Sequence, residues 1–270
     1  MPGEYRELVR VTGGAQVELQ VTGLGPPLLL LSGQANNHHW WDRVRSLYST
    51  VYTVVTLDYR GTGHSTLGAR PFTTRTLAQD AVRCLDAVGI SRCHVFGTSM
   101  GGRVAQWLAI DAPHRVDRLV LGCTTPGGPH AVERSDAVRL SLIADSSVTR
   151  GVLTSLMYTD RYVAGVPPPY VTLGDAAMTP DARAWHMRAS GTHDAWEMLP
   201  TIASPTLILH GTDDLLAPVT NSELIASRIP GAAVHTFPGA RHAFFEECAV
   251  ETFDSIVEFT RVSARPIPGR

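Results

Sequence analysis

The stretch His94-Val95-Phe96-Gly97-Thr98-Ser99-Met100-Gly101-Gly102 decides how this chain is read. It opens as the end of a short apolar strand and passes through a Gly-bracketed turn. A helical pattern follows, through Gln106, Trp107 and Leu108 to about Ala112. A serine at the tip of such a strand–turn–helix is lifted clear of the sheet on a strained backbone. A Cβ at Gly97 or Gly101 would crowd the neighbouring chain, so the sharp turn needs glycine there. The helix aims its N-terminal amides at the space above Ser99, where they stabilise negative charge as it develops. The Gly-x-Ser-x-Gly spacing in this context marks Ser99 as a candidate nucleophile.

Composition narrows the classes around that serine. The chain has 270 residues, 44% apolar and 18% charged, enough for a large buried core and too apolar for disorder. Its net charge of −2 gives no field that gathers nucleic acid or an anionic membrane. All 23 basic residues are arginine, which excludes a Schiff-base lysine, a pyridoxal anchor and a P-loop lysine from this chain. Cys84, Cys93, Cys123 and Cys248 form no Cys-x-x-Cys pair, so the spacing suits neither a zinc site nor a disulfide framework. Reduced, mostly buried thiols in a cytoplasmic protein are expected. Met1–Arg10 is charged and shows no apolar signal-peptide core. The longest purely apolar run, Leu28–Leu31, is far too short to span a bilayer.

Periodicity supplies the framework. Tyr5–Val11 and Ala15–Val21 alternate about Thr12-Gly13-Gly14 and predict an opening β-hairpin. Leu28–Leu31, Val51–Leu57, the strand before Ser99 and Leu119–Cys123 are near-continuous apolar runs, as for strands buried on both faces. Helices are predicted at Trp40–Tyr48, at Thr73–Val88 and after Ser99. This alternation implies βαβ crossovers and a mostly parallel sheet. From Thr125 to Leu199 it stops, leaving helical stretches at Val132–Ile143, Val148–Met157 and Asp181–Arg188 about a Pro167-Pro168-Pro169 break. It resumes with strand Thr206–His210, helix Asn221–Arg228, strand Ala233–Phe237 and helix Ala249–Arg261. The partition expected is a core of residues 1–124 and 200–262, a helical cap of 125–199 over one sheet edge, and a loose tail at 263–270.

A serine hydroxyl needs a base within reach and a third group to orient that base. In a doubly wound sheet such groups come from loops at the carboxyl ends of strands. His242 follows the last strand in Pro238-Gly239-Ala240-Arg241-His242, whereas His94, His210 and His235 belong to strands and read as core or edge histidines. The loop His210-Gly211-Thr212-Asp213-Asp214 offers two adjacent aspartates, of which at most one faces the imidazole. For the oxyanion the donors expected are the N–H of Met100 and that of Gln34, with Gly33 letting the chain turn close to the substrate. His38-His39 lacks partners for a metal site and reads as loop or pocket rim. Gly61-Thr62-Gly63 lacks the third glycine of a dinucleotide fingerprint, and Arg60 and Ser65 are expected to tie that loop together.

Strand order, the elbow, the Asp and His positions and Asp58-Tyr59-Arg60-Gly61-Thr62-Gly63-His64-Ser65 together resemble the α/β-hydrolase fold superfamily over residues 5–261. Gly97-Thr98-Ser99-Met100-Gly101-Gly102 and a helical cap resemble the branch of enol-lactonases, esterases, cofactor-free haloperoxidases and C–C hydrolases. The resemblance implies a Ser99–Asp214–His242 triad, with Asp214 chosen over Asp213 by the fold's usual placement. It further implies a soluble serine hydrolase of small esters, lactones or thioesters, without cofactor or metal and with a small molecule as its partner. A C–C hydrolase, lyase or biosynthetic enzyme on the same triad, or a ligand-binding receptor, are the alternatives. Relatives often begin the oxyanion loop His-Gly. Here Ser32-Gly33 stands in that place, which removes any contact specific to the histidine. Asn36, Trp185 and Trp196 are candidates to line the substrate pocket.

Overall fold

A computed structural model describes residues 5–142 and 146–261; the expected tail at 263–270 lies outside them. Strands β1 (Tyr5–Arg10) and β2 (Gln16–Thr22) form the expected antiparallel hairpin. They are followed by β3 (Pro27–Leu31), α1 (Asp42–Tyr48), β4 (Thr53–Leu57), α2 (Thr74–Ala87), β5 (Cys93–Thr98), α3 (Met100–Asp111) and β6 (Val116–Gly122). Then come α4 (Asp136–Ser141), α5 (Ser146–Met157), α6 (Asp160–Gly165) and α7 (Pro180–Gly191). The chain closes with β7 (Thr206–Gly211), α8 (Thr220–Arg228), β8 (Ala233–Phe237), α9 (Phe244–Glu247) and α10 (Ala249–Arg261). This is the α/β-hydrolase fold expected from the sequence.

The eight strands make one sheet in the order β1-β2-β4-β3-β5-β6-β7-β8. β2 joins β4 antiparallel, and every pair from β4 to β8 is parallel. Two apolar clusters sandwich it. One sets Leu29, Leu31, Val95 and Leu121 against α2 and α3; the other sets Leu28, Leu30, Phe96 and Val120 against Trp41, Tyr48, Phe244 and Phe245. Adjacent residues of the same strand divide between the two clusters, the period-2 alternation of a sheet covered on both faces. A buried ion pair, Arg60 with both carboxylate oxygens of Asp80 at 2.6 and 2.7 Å, ties the loop after β4 to α2. Ser65 Oγ donates to the Asp58 carbonyl at 2.6 Å, so both residues tie the loop as expected.

β4 lies on one side of β3 and β5 on the other. The chain therefore reverses its direction of travel across the sheet at β3, and the loops after β3 and β5 splay apart at its carboxyl end. Doubly wound sheets open a crevice at such a point. Ser32–Gly33 leaves from one lip of it and Ser99 from the other.

Between β6 and β7 the described residues contain no strand, only a single bridge between Gly127 and Asp194. The helix expected over Val132–Ile143 is shorter: Ser135 caps α4, and Ile143 lies outside the described residues. The reason is tertiary. Val132 exchanges backbone hydrogen bonds of 2.9 Å with the Asn221 amide of α8, which holds it out of the helix. α6, capped by Thr159, was not expected; its six residues are too few to show a period. The segment between β6 and β7 contacts the loops after β3, β4 and β8: Asn36 Oδ1 accepts from Gly174, His186 Nε2 donates to the Arg60 carbonyl, and Ala243 donates to Met157.

Candidate active site

The geometry begins with the turn. Ser99 has φ 54° and ψ −122°, a left-handed conformation that serine adopts only under constraint. The constraint is packing. A Cβ on Gly97 would strike the Gly101 carbonyl, and one on Gly101 would strike the Leu31 and Ser32 carbonyls. The start of α3 therefore rests directly on the end of β3. Thr124 Oγ1 also donates to the Ser99 carbonyl at 2.8 Å, fixing the turn from the β6 side.

This contact sets Met100 beside the loop that carries Gln34. Neither the Gln34 nor the Met100 N–H has an acceptor among the described residues. Asn36 Nδ2 donates to the Gln34 carbonyl at 2.8 Å, which fixes the orientation of that peptide. Gly33 is required by packing as well: a Cβ there would lie 2.5–2.9 Å from the Trp40 ring. Trp40 Nε1 in turn donates to Thr98 Oγ1 at 2.9 Å. One indole thus packs against the loop that carries Gln34 and bonds to the residue preceding Ser99.

Strand register brings the remaining groups together. Thr98 pairs with Gly122, Gly122 with Leu209, and Gly211 with Phe237, so Ser99, Cys123, Asp214 and His242 all leave the same end of the sheet. His242 Nδ1 lies 2.7 Å from Asp214 Oδ2. Facing a carboxylate, Nδ1 carries the ring hydrogen, which leaves Nε2 with its lone pair. Asp214 Oδ1 accepts the N–H groups of Leu216 and Ala217 at 2.8 and 2.9 Å. Burial works to raise the Asp214 pKa, but the imidazoles of His242 and His210 outweigh it and hold the carboxyl well below its usual range. Asp213 is exposed and, among the described residues, its carboxylate accepts only from the Thr212 hydroxyl, so the aspartate that faces His242 is Asp214. No direct hydrogen bond joins Ser99 Oγ to His242 among the described residues; such contacts are often long without substrate and tighten when it binds.

Two groups at this centre were not expected from sequence. His210, set aside as a strand histidine, places Nε2 at 3.2 Å from Asp214 Oδ2. The signal for it was its position four residues before Asp214 at a strand end. Cys123, at φ 40°, puts its thiol against the Ser99 backbone and within 4.8 Å of a carboxylate oxygen of Asp214 and a ring nitrogen of His242. Burial raises that thiol far above its usual pKa, so it is a neutral wall of the site.

The candidate pocket residues each have a partner in the fold. Asn36 is buried and spends its amide on Gln34 and Gly174. Trp185 packs edge-on against Phe72, and Trp196 stacks on His130 at 4.5 Å with the Arg228 guanidinium 5.0 Å over its ring. These rings seat the insert on the core, where large aromatic surfaces are buried most economically. His38 is no pocket rim: its ring and its backbone N–H both meet Asp58 Oδ1, at 2.7 and 2.8 Å.

A doubly wound sheet with a strained serine at its switch point and an Asp–His pair on the neighbouring strand ends defines the α/β hydrolases. Residues 26–142 match the family of the alpha/beta hydrolase fold. Along the sequence the chain is 30% identical over 255 residues to a putative carbamate hydrolase of Variovorax paradoxus, covering 90% of this chain and 95% of that one. It is 28% identical over 245 residues to one of a Caulobacter species, covering 85% and 88%. A hydrolase from Pseudomonas aeruginosa superposes with a TM-score of 0.81 at 27% identity, over 96% of this chain and 98% of that one. The enol-lactonase of Burkholderia xenovorans shares the fold at a TM-score of 0.79 and 22% identity, over 94% and 100%. The chain belongs to the α/β-hydrolase family and is a hydrolase. No helix among the described residues is long and apolar enough to cross a membrane.

Proposed function

We propose that this chain is a serine hydrolase of small carboxylic esters, lactones or thioesters. Ser99 attacks the carbonyl carbon as His242 Nε2 takes its proton, and the tetrahedral oxyanion is held by the Gln34 and Met100 N–H groups. Collapse expels the alcohol or thiol, which receives that proton from His242. Water, activated by the same nitrogen, then cleaves the acyl-enzyme to the acid and restores Ser99. Asp214 keeps the imidazole in the tautomer this needs and stabilises its cationic form. Residues 125–199 act as a cap over residues 1–124 and 200–262, closing the acyl site from above.

The observation that carries the reading is the buried Asp214 Oδ2–His242 Nδ1 bond of 2.7 Å, which leaves Nε2 free on the Ser99 end of the sheet. A second electrophile, a carbamate carbonyl, is favoured by the names of the relatives from Variovorax and Caulobacter. The same attack serves it, with an amine or ammonia as leaving group. Turnover of p-nitrophenyl acetate and of a small alkyl carbamate, each by the native chain and by Ser99→Ala, tests both. Ser99 is expected to be labelled by a fluorophosphonate and Ser99→Ala to be inert; an active Ser99→Ala would sink the assignment.

A further inference from the structure

The Asp214 carboxylate is held from two sides. His242 Nδ1 meets Oδ2 at 2.7 Å, and His210 Nε2 meets the same oxygen at 3.2 Å. His210 is wholly buried at the end of β7. Its Nε2 also lies 2.7 Å from the Ala217 carbonyl, so both groups facing that nitrogen are acceptors and Nε2 must carry a hydrogen. Its Nδ1 lies 2.6 Å from Ser222 Oγ of α8. The Ser222 hydroxyl donates to a neutral Nδ1, and this contact selects the Nε2–H tautomer.

We infer that His210 is a positioning residue for the triad: a second imidazole, locked by Ser222, that fixes Asp214 Oδ2 and shares its charge with His242. This rests on the serine-hydrolase reading above. The chain of contacts runs Ser222–His210–Asp214–His242 and crosses from α8 through β7 to the loop after β8. Among the described residues the titratable groups facing Asp214 are His242 from that loop, His210 from its own strand end and the Cys123 thiol from the end of β6. Asp214 Oδ1 is taken by the Leu216 and Ala217 N–H groups and Cys123 is neutral, so the side chains that share Oδ2 are the two histidines.

Two consequences separate positioning from mere packing. Without the His210 donor, more of the Asp214 charge falls on His242, which favours the protonated and inactive base. The acid limb of the kcat/KM profile then moves to higher pH. Asp214 Oδ2 also gains freedom to turn away, and kcat falls while KM stays. Glutamine offers an amide N–H close to where Nε2 stands; leucine fills the space with no donor.

The test compares His210→Gln, His210→Leu and Ser222→Ala of the full chain on a p-nitrophenyl ester from about pH 5 to about pH 9, with thermal midpoints alongside. Leucine is expected to lower kcat about tenfold to a hundredfold with KM unchanged, and to move the acid limb up by about half a pH unit. Glutamine is expected to restore both, and Ser222→Ala to move the limb the same way by less. Equal losses in Gln and Leu with the limb unmoved would overturn the proposal, as would native behaviour of His210→Leu. If His210→Leu does not fold, Ser222→Ala decides: a native kcat and limb there overturn it as well. Ser99→Ala, run in parallel, separates the two readings. If it is active, the serine mechanism fails; if it is inert while His210→Leu is normal, only the role of His210 fails.

Discussion

The backbone N–H of Ala243 donates to the carbonyl of Met157 at 2.8 Å, binding the segment that carries His242 to the last turn of α5. Arg241 reinforces the join, reaching the Ser155 and Tyr158 carbonyls at 2.7 Å each. Tyr158 then donates to Glu246 Oε2 at 2.8 Å, and the Glu247 carboxylate accepts the Thr159 N–H. These bonds tie the segment between β6 and β7 to the loop that carries His242.

This clamp gives stability a pH dependence with a definite sign. Burial pushes the Glu246 carboxyl up to about 7, against the opposing pull of the Tyr158 hydrogen bond and Arg43. A group whose pKa is raised on folding contributes in full below its unfolded value and loses that contribution as pH rises through the folded one. Stability is expected to fall between about pH 5 and about pH 8 by an amount on the order of 3 kcal/mol, and the thermal midpoint falls with it. Glu246→Gln should flatten this slope in differential scanning calorimetry. Asp214 acts oppositely, since its lowered pKa gives stability that is lost on acidification.

Replacing Asp214 by Asn keeps the shape but presents an amide to donors that need a carboxylate. The ring loses the acceptor that selects its tautomer, so kcat on an activated ester should fall by about 10³–10⁴. Stopped assays with active-site titration will show whether the loss lies in turnover and not in the fraction of folded enzyme.

Gly33→Ala drives a methyl group into the Trp40 ring, which also anchors Thr98. Displacing Gln34 from the oxyanion should cost about 10² in kcat/KM, together with about 1–3 kcal/mol of stability from overpacking. Gly151→Ala is the control, since nothing lies within 4 Å of its Cβ and it sits in α5. That variant is expected to be as active as the native chain and slightly more stable, by about 0.5–1 kcal/mol.

Arg60→Met removes the partner of a buried carboxylate. Burial already raises the Asp80 pKa despite the guanidinium, and the uncompensated charge should cost about 3–5 kcal/mol. Urea titration at neutral pH measures this loss. Adding Asp80→Leu should recover much of it, because two apolar side chains bury no orphan charge.

The elements legible in the sequence share one property: their signal is local and repeated. Leu28–Leu31 and Thr206–His210 read as strands because burial on both faces makes every residue apolar. Ser99 was legible because its turn needs glycines at Gly97 and Gly101 whatever surrounds it. Where a neighbour far along the chain intervenes, the signal disappears. Asn221 trims the start of α4, Trp40 supplies the need for Gly33, and Phe72 and His130 claim Trp185 and Trp196. His210 looked like any core histidine until its two nitrogens were given partners.

Residue order alone thus determined the mostly parallel sheet, the placement of Ser99 at a strand–turn–helix elbow and the short roll of candidates for its partners. Periodicity and backbone sterics act within a few residues, and they leave their mark in the chain itself. Only the tertiary structure decided that Asp214 and not Asp213 turns to His242, that a second imidazole shares its carboxylate, and that the insert is bonded to the loop that carries His242. Those choices depend on directional hydrogen bonds between strand ends, which exist only once the sheet has set its register.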